Sequence, residues 1–374
     1  MNFDFSDEQQ MLRDQARRFL GEKSSPQQVR RILEGEECYD AGLWQGMAEL
    51  GWMGTAVPEE YGGIGLSHVD LCVIAEEIGR ALAPVPFSSS VYLATEALLM
   101  FGSEKQKREI VAKLAMGELI GTFALSESNK PASQKNITCE VVGGKISGVK
   151  MPVPDGTISD FAIVVAKNGD SVGLYMVDLT SDGVERAEVD TMDPTRGAAK
   201  ITFNAAAATA VGDGEASWDD VERVLDRAAI LMSFEQIGGA DAALEMAVDY
   251  AQNRYAFGRP IGSFQAIKHK LADVYVAGQI ARSNAYFGAW ALSNDAPELP
   301  VAAASARVAA TDAYRIAAEE NVQTHGGMGF TWEFDCHLYY RRSKNLGLAI
   351  GSVRRWKDML VSRLEMRNAA EGSA

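Results

Sequence analysis

The sequence predicts an α+β chain in which a small β domain is set between two helical ones. Three observations predict it. Apolar residues recur at helical spacing from Asp7 to about Gly117. From Leu119 to about residue 215 the texture changes to short β-branched runs punctuated by glycine turns. Long alanine- and leucine-rich segments with helical spacing then run to the end. Helices, then strands, then helices is the order of segregated α and β regions, not of alternating βαβ units. The boundaries read as 1–118, 119–217 and 218–374.

Each element has its own signal. Ser6 stands before Asp7 and Glu8, and Met11, Ala16, Phe19 and Leu20 follow on one stripe. Residues 58–65 (PEEYGGIG) form a loop, because three glycines and a proline cannot continue a helix. Residues 71–82 read as a buried helix. Ser103 caps another, with Glu104 in its first turn and Ile110, Leu114 and Ala115 on one face. In the β domain, 122–125 is strand-like, Gly143-Gly144 and Asn168-Gly169 each separate two strand-like runs, and 199–203 is a further strand. Helices are expected at 228–250, 266–288, 301–322 and 338–364.

Composition narrows the function classes. The 374 residues are 47% apolar and 23% charged, enough to bury a large core without staples. Cys38, Cys72, Cys139 and Cys336 are scattered, with no CxxC and no metal-ligand spacing, which implies free thiols, a reducing compartment and no metal. A net charge of −15 disfavours nucleic acid as a partner. The opening MNFDFSDEQQ lacks a basic-then-apolar leader pattern, and the weakly charged stretch 81–100 holds two prolines and Glu96, so it is no membrane span. A soluble cytoplasmic protein is expected.

Two segments carry most of the functional signal. Residues 254–265 read RYAFGRPIGSFQ and residues 323–330 read QTHGGMGF. They are similar to the R-x-x-F-G-x-x-I-x-x-F-Q and Q-x-x-G-G-x-G-F/Y segments of the acyl-CoA dehydrogenases, in the same order. PEEYGG and ALSES precede them, and the resemblance runs over nearly the whole chain. It implies a helical N-terminal domain, a β-barrel-like middle domain and a C-terminal four-helix bundle. It also implies FAD, an acyl-CoA substrate, an electron-transfer flavoprotein or similar acceptor, and a homo- or hetero-oligomer, commonly a dimer of dimers. In the family both segments reach FAD held largely by a neighbouring subunit.

The chemistry of these residues suits a dinucleotide. Arg254 offers a forked, permanently charged donor for a pyrophosphate. Phe257 offers an apolar face, and Gln265 can donate and accept. Gly326 and Gly327 carry no side chains, so backbone N–H groups can approach phosphate oxygens. Gln323, Leu125 and Ser126 are implied contacts by resemblance alone. Plainer readings exist for each: a helix C-cap at the glycines, a solvated charge at Arg254, core packing at Phe257. His325 either hydrogen-bonds near the flavin or packs. Arg341, Arg342, Arg354 and Arg355 either meet phosphates or an acidic partner, or form a solvated helix face.

The sequence also departs from the family pattern. Where members continue P-G-A-G-S-D it reads Ser128-Asn129-Lys130-Pro131-Ala132-Ser133. Where many have K-x-W-I-T-N it reads Lys150-Met151-Pro152-Val153-Pro154-Asp155, and proline has no N–H to give. The V-P-D-G wording resembles bacterial subgroups acting on bulky acyl-CoAs, steroid side chains among them. The family reaction needs a carboxylate to take the substrate's α-proton. At one family position this chain has Ile350, and at the other Ala228, with Asp226 beside Arg227 under a shifted alignment. Glu235, among Met232, Phe234 and Ile237, is the other candidate, a carboxylate that apolar surroundings would make costly unless paired or protonated. Glu333 reads as structural. Three expectations stay open: a dehydrogenase with Glu235 or Asp226 as base, a non-catalytic subunit that completes a flavin site, or a related flavin oxidase or monooxygenase.

Overall fold

The computed structural model describes residues 6–128 and 130–371. Residues 1–5, which open the leader reading above, and Asn129 of the 128–133 segment lie outside the described residues. By contacts the chain divides into two compact units, one of Met1–Arg30, Cys72–Ala83 and Ala229–Ala374, the other of Arg31–Leu71 and Pro84–Ala228.

The N-terminal helices are α1 (Asp7–Lys23), α2 (Pro26–Glu34), α3 (Ala41–Glu49) and α4 (His68–Arg80). Ser6 accepts from the Gln9 N–H while the Gln9 side chain returns to the Ser6 N–H, a complete capping box that fixes where α1 starts. A π-helical stretch, Ser88–Thr95, leads into α5 (Glu96–Phe101). Ser103 and Gln106 form a second capping box on the short α6 (Glu104–Gln106), and α7 (Ala112–Ala115) closes this region.

Eight strands follow: β1 (Gly121–Ala124), β2 (Glu140–Val142), β3 (Lys145–Pro154), β4 (Phe161–Asn168), β5 (Ser171–Asp178), β6 (Val184–Val189), β7 (Ala198–Ala207) and β8 (Thr209–Ala210). They form one curled sheet in the order β6-β7-β3-β2-β4-β5-β8, with β1 parallel to β4. Gly143 and Gly144 make the two-residue turn between Val142 and Lys145, both at positive φ, the conformation that hairpin turns of this length require. The second hairpin is shifted by one residue from its expected place: Asn168 pairs with Ser171, so the turn is Gly169-Asp170. Ile146, Val153, Val164, Val177, Ile201 and Phe203 fill the sheet's core.

The C-terminal elements are α8 (Trp218–Asn253), a hairpin of β9 (Tyr255–Ala256) and β10 (Arg259–Pro260), α9 (Gln265–Ser293), α10 (Leu299–His325), the single turn α11 (Gly327–Phe330), α12 (Cys336–Leu348) and α13 (Val353–Glu371). The single helix expected over 338–364 is two helices. Gly351, at φ 107, makes the turn between them, a conformation no other residue type adopts readily.

Within the first unit, α4 and α8 touch backbone to backbone. A Cβ added at Gly79 would lie 1.8 Å from the Glu235 carbonyl oxygen, and one at Gly238 would lie 1.8 Å from that of Glu76. Ion pairs reinforce this seam: Arg282 of α9 reaches Glu76 at 2.9 Å and Asp241 at 2.6 Å, and Arg17 of α1 reaches Glu77 at 2.7 Å.

Candidate functional site

The end of α8 builds the first part of the site. The Arg254 N–H donates to Tyr250 O and the Ile261 N–H donates to Arg254 O, both at 2.8 Å, so the chain turns back at once. Ala256 pairs with Arg259, which leaves Phe257 and Gly258 as the turn residues, at φ 54 and 78. Glycine accepts that conformation freely, but phenylalanine does so only at a cost in strain. The Phe257 ring is 95% exposed. It meets Phe264 edge-on at 6.2 Å, and the Arg259 guanidinium lies 4.0 Å above the Phe264 ring. Arg254 and Gln265 are exposed beside it in sequence.

The end of α10 builds the second part. Gly326 caps it at φ 59 and ψ −135, open to glycine alone. A Cβ at Gly326 or Gly327 would meet nothing within 4 Å, so no packing in this chain requires glycine at Gly327. Gln323 is exposed one turn earlier. His325 is buried, with Nδ1 2.9 Å from Asn321 O. Its ring stacks on Tyr250 at 4.0 Å with Phe334 at 5.4 Å beside it, so the ends of α8 and α10 meet through these rings. Burial pushes the His325 pKa down, against the Asn321 hydrogen bond and the Asp249 charge. Of the two readings of His325, packing is what its contacts describe. Tyr250 was not singled out from the sequence; an aromatic one turn before Arg254 on the same helix was the available signal.

Leu125 and Ser126 belong to the sheet-bearing unit. Lys150 Nζ donates to Leu125 O at 3.1 Å and pairs with Glu127 at 2.7 Å, and the Met151 N–H donates to Ser126 O at 2.8 Å. Burial depresses the Lys150 pKa although Glu127 opposes it. Burial would raise that of Glu127, but the Lys150 charge and hydrogen bonds from Lys150, Thr138 and Cys139 outweigh it and hold Glu127 below its ordinary range. Pro152 lies within the register shift between Lys150 and Val153, where the ladder needs no N–H, and Pro154 ends the strand opposite Ala198.

The carboxylates are elsewhere. Glu235 is 0% exposed, with Oε1 4.0 Å from Arg342, which also donates to Leu82 O at 3.2 Å. Arg307 lies in the same interior, donating to Gln236 at 2.7 Å and to Leu346 O. Burial pushes its pKa down to about 10, against the Glu235 charge. Arg342 is therefore a core residue and not part of a solvated arginine face. Ile350 is 3% exposed and Ala228 fully buried. Asp226 is buried too, and its neighbour Arg227 pairs with Glu96 at 2.6 Å, where His68 Nε2 also reaches at 2.8 Å. Burial would raise the Glu96 pKa, yet His68 and Arg227 together hold it at about 2. Glu333 is exposed, and His337 packs among Phe330, Trp332 and Tyr340.

A helical region, a curled sheet and a second helical region make an α+β protein, and the hairpin and the open glycine pair stand on two meeting helix ends as the resemblance leads one to expect. Comparison with known families agrees. Residues 6–118 match the acyl-CoA dehydrogenase N-terminal domain and residues 217–359 the acyl-CoA dehydrogenase C-terminal domain. The chain belongs to the acyl-CoA dehydrogenase family. It is 33% identical to acyl-CoA dehydrogenase IpdE2 of Mycobacterium tuberculosis over 93% of this chain and 94% of that one. Among solved structures it resembles the Tcur3481-Tcur3483 steroid ACAD, with a TM-score of 0.88 and 28% identity over 97% and 99% of the two chains. It also resembles butyryl-CoA dehydrogenase from Megasphaera elsdenii, with a TM-score of 0.89 and 25% identity over 97% and 100%.

Proposed function

We propose that this chain takes part in FAD-dependent α,β-dehydrogenation of an acyl-CoA thioester as a subunit that completes a flavin site, while another chain carries the proton-abstracting carboxylate. One contrast supports this reading. The family's two base positions hold the buried apolar residues Ile350 and Ala228, and Glu235 is shut in the core against Arg342, whereas Phe257 stands 95% exposed on a strained turn. With Tyr255, 64% exposed on the same hairpin, it offers an apolar, aromatic surface that a ligand or partner can cover.

The residues fit a flavin dinucleotide. Arg254 would clamp the pyrophosphate, Gln265 and Gln323 would give directed hydrogen bonds, and Phe257 would cover a ring or ribose edge. The open space at Gly326 and Gly327 leaves their backbone approachable. Separately, within the sheet-bearing unit, Leu125 and Ser126, pinned by Lys150 and Met151, are proposed as flavin contacts by resemblance. When bound, a flavin accepts the substrate's β-hydride as the α,β double bond forms. The chain's own contribution is to hold and orient. The α-proton needs an accessible base, and Glu235, 0% exposed and shut in beside Arg342, is not accessible. A bulky acyl group, of steroid type, accords with the steroid ACAD that the chain resembles. An electron-transfer flavoprotein is the proposed acceptor. No helix among the described residues is long and apolar enough to cross a membrane, and a cytoplasmic location is part of the proposal.

Co-expression with a related acyl-CoA dehydrogenase chain, followed by flavin stoichiometry, tests it. Flavin retained only in the mixed assembly, with Glu235→Gln leaving turnover per bound flavin unchanged, is the expected result. A homomer that dehydrogenates acyl-CoA and loses this on Glu235→Gln would overturn it and restore Glu235 as base.

A further inference from the structure

We propose that His325 is a positioning residue whose ring, laid on Tyr250, sets the Gly326–Gly327 turn against the Arg254 hairpin so that both address one dinucleotide. This rests on the flavin-holding reading above. The two segments lie at the ends of different helices, and the dinucleotide can meet both only if the helix ends keep a fixed separation. Tyr250 is the acceptor of the Arg254 N–H, so its backbone fixes where the hairpin departs. His325 is the last residue of α10, immediately before the glycine cap. Their rings are 4.0 Å apart and 27° from parallel, and Phe334 closes the third side at 60° to His325.

A flat ring does here what an aliphatic chain cannot. It fixes spacing and tilt together, because stacked faces slide only at the cost of contact area. Nδ1–H donates to Asn321 O, and burial disfavours the charged form of the ring. The groups facing it are Asp249 and Tyr250 from α8, the Asn321 carbonyl from α10, and Phe334 ahead of α12. Its contacts assign His325 to orientation, and no contact with substrate is invoked.

The test is FAD affinity, read by titrating FAD into the flavin-stripped assembly as it is purified, alongside its melting temperature. His325→Leu keeps bulk and loses the flat face. His325→Phe keeps the face and loses the hydrogen bond. Tyr250→Leu removes the opposite face, and Arg254→Gln reports on the site itself. We expect roughly tenfold weaker FAD with His325→Leu and with Tyr250→Leu, no further loss when the two are combined, and affinity within about threefold of wild type for His325→Phe. A purely structural role would lower melting in both His325 variants and leave FAD affinity equal in them. If Arg254→Gln weakens FAD while His325→Leu does not, the positioning role fails and the flavin site stands. If neither weakens FAD, the flavin site itself fails. Should His325→Leu not fold, a tenfold loss in His325→Phe overturns the ring argument alone.

Discussion

The middle of α8 and the hairpin that follows it invert the usual distribution of polarity. At the middle, a carboxylate and two guanidinium groups lie inside the helical unit: Glu235 with Arg342 and Arg307. At the end, a phenylalanine stands outside it on a left-handed backbone. Both arrangements cost free energy in an isolated chain, the first through buried charge and the second through its left-handed backbone. The difference lies in what repays the cost. Interior charges face one another and groups of the same chain, so they speak of architecture. The exterior ring has no such cover from its own chain, and under the proposed reading FAD supplies it.

The largest effect should come from breaking the interior. Glu235→Ala leaves Arg342 buried beside one charge fewer and should destabilise folding by roughly 3–5 kcal/mol in chemical denaturation. A loss under about 1 kcal/mol would show that Glu235 is solvated in solution and would dissolve the contrast. The exterior should behave oppositely. Phe257→Ala should leave denaturation within about 0.5 kcal/mol of wild type while weakening FAD about tenfold, close to 1.4 kcal/mol. Arg254→Lys, which keeps charge and loses the fork, should weaken FAD several-fold and leave folding untouched. Phe257→Gly should stabilise the chain by about 1 kcal/mol through relief of its positive φ, so that stability and cofactor retention move in opposite directions.

The smallest effect is acid dependence at His325. The folded protein disfavours its protonation, so its contribution to stability is complete above the unfolded value of about 6.5 and is lost as pH falls toward the depressed value. A melting-temperature profile from pH 8 to 5 should lose that component in His325→Phe.

Much of the architecture could be read in advance because it is written locally. Ser6, Ser103 and Gly143-Gly144 each act within four residues, and each did what its chemistry dictates. The break at Gly351 was passed over because the apolar period runs on through it. The site was legible as two words and not as one place. The link between them, Tyr250 on His325, joins residues seventy-five positions apart, and ring stacking leaves no periodic trace in a sequence. Burial of Glu235 was equally hidden: its apolar neighbours hinted at it, but its partner Arg342 lies on another helix and looked like surface charge.

The contact of α4 with α8 has a consequence for how this chain can vary. At Gly79 and Gly238 there is no space for even one methyl group, since the opposing peptide oxygens already occupy it. An alanine at either place would have to lever two rods apart along the stretch that shelters Glu235, wetting a charge through a position with no chemistry of its own. Two featureless residues thus set the conditions under which the interior carboxylate stays dry.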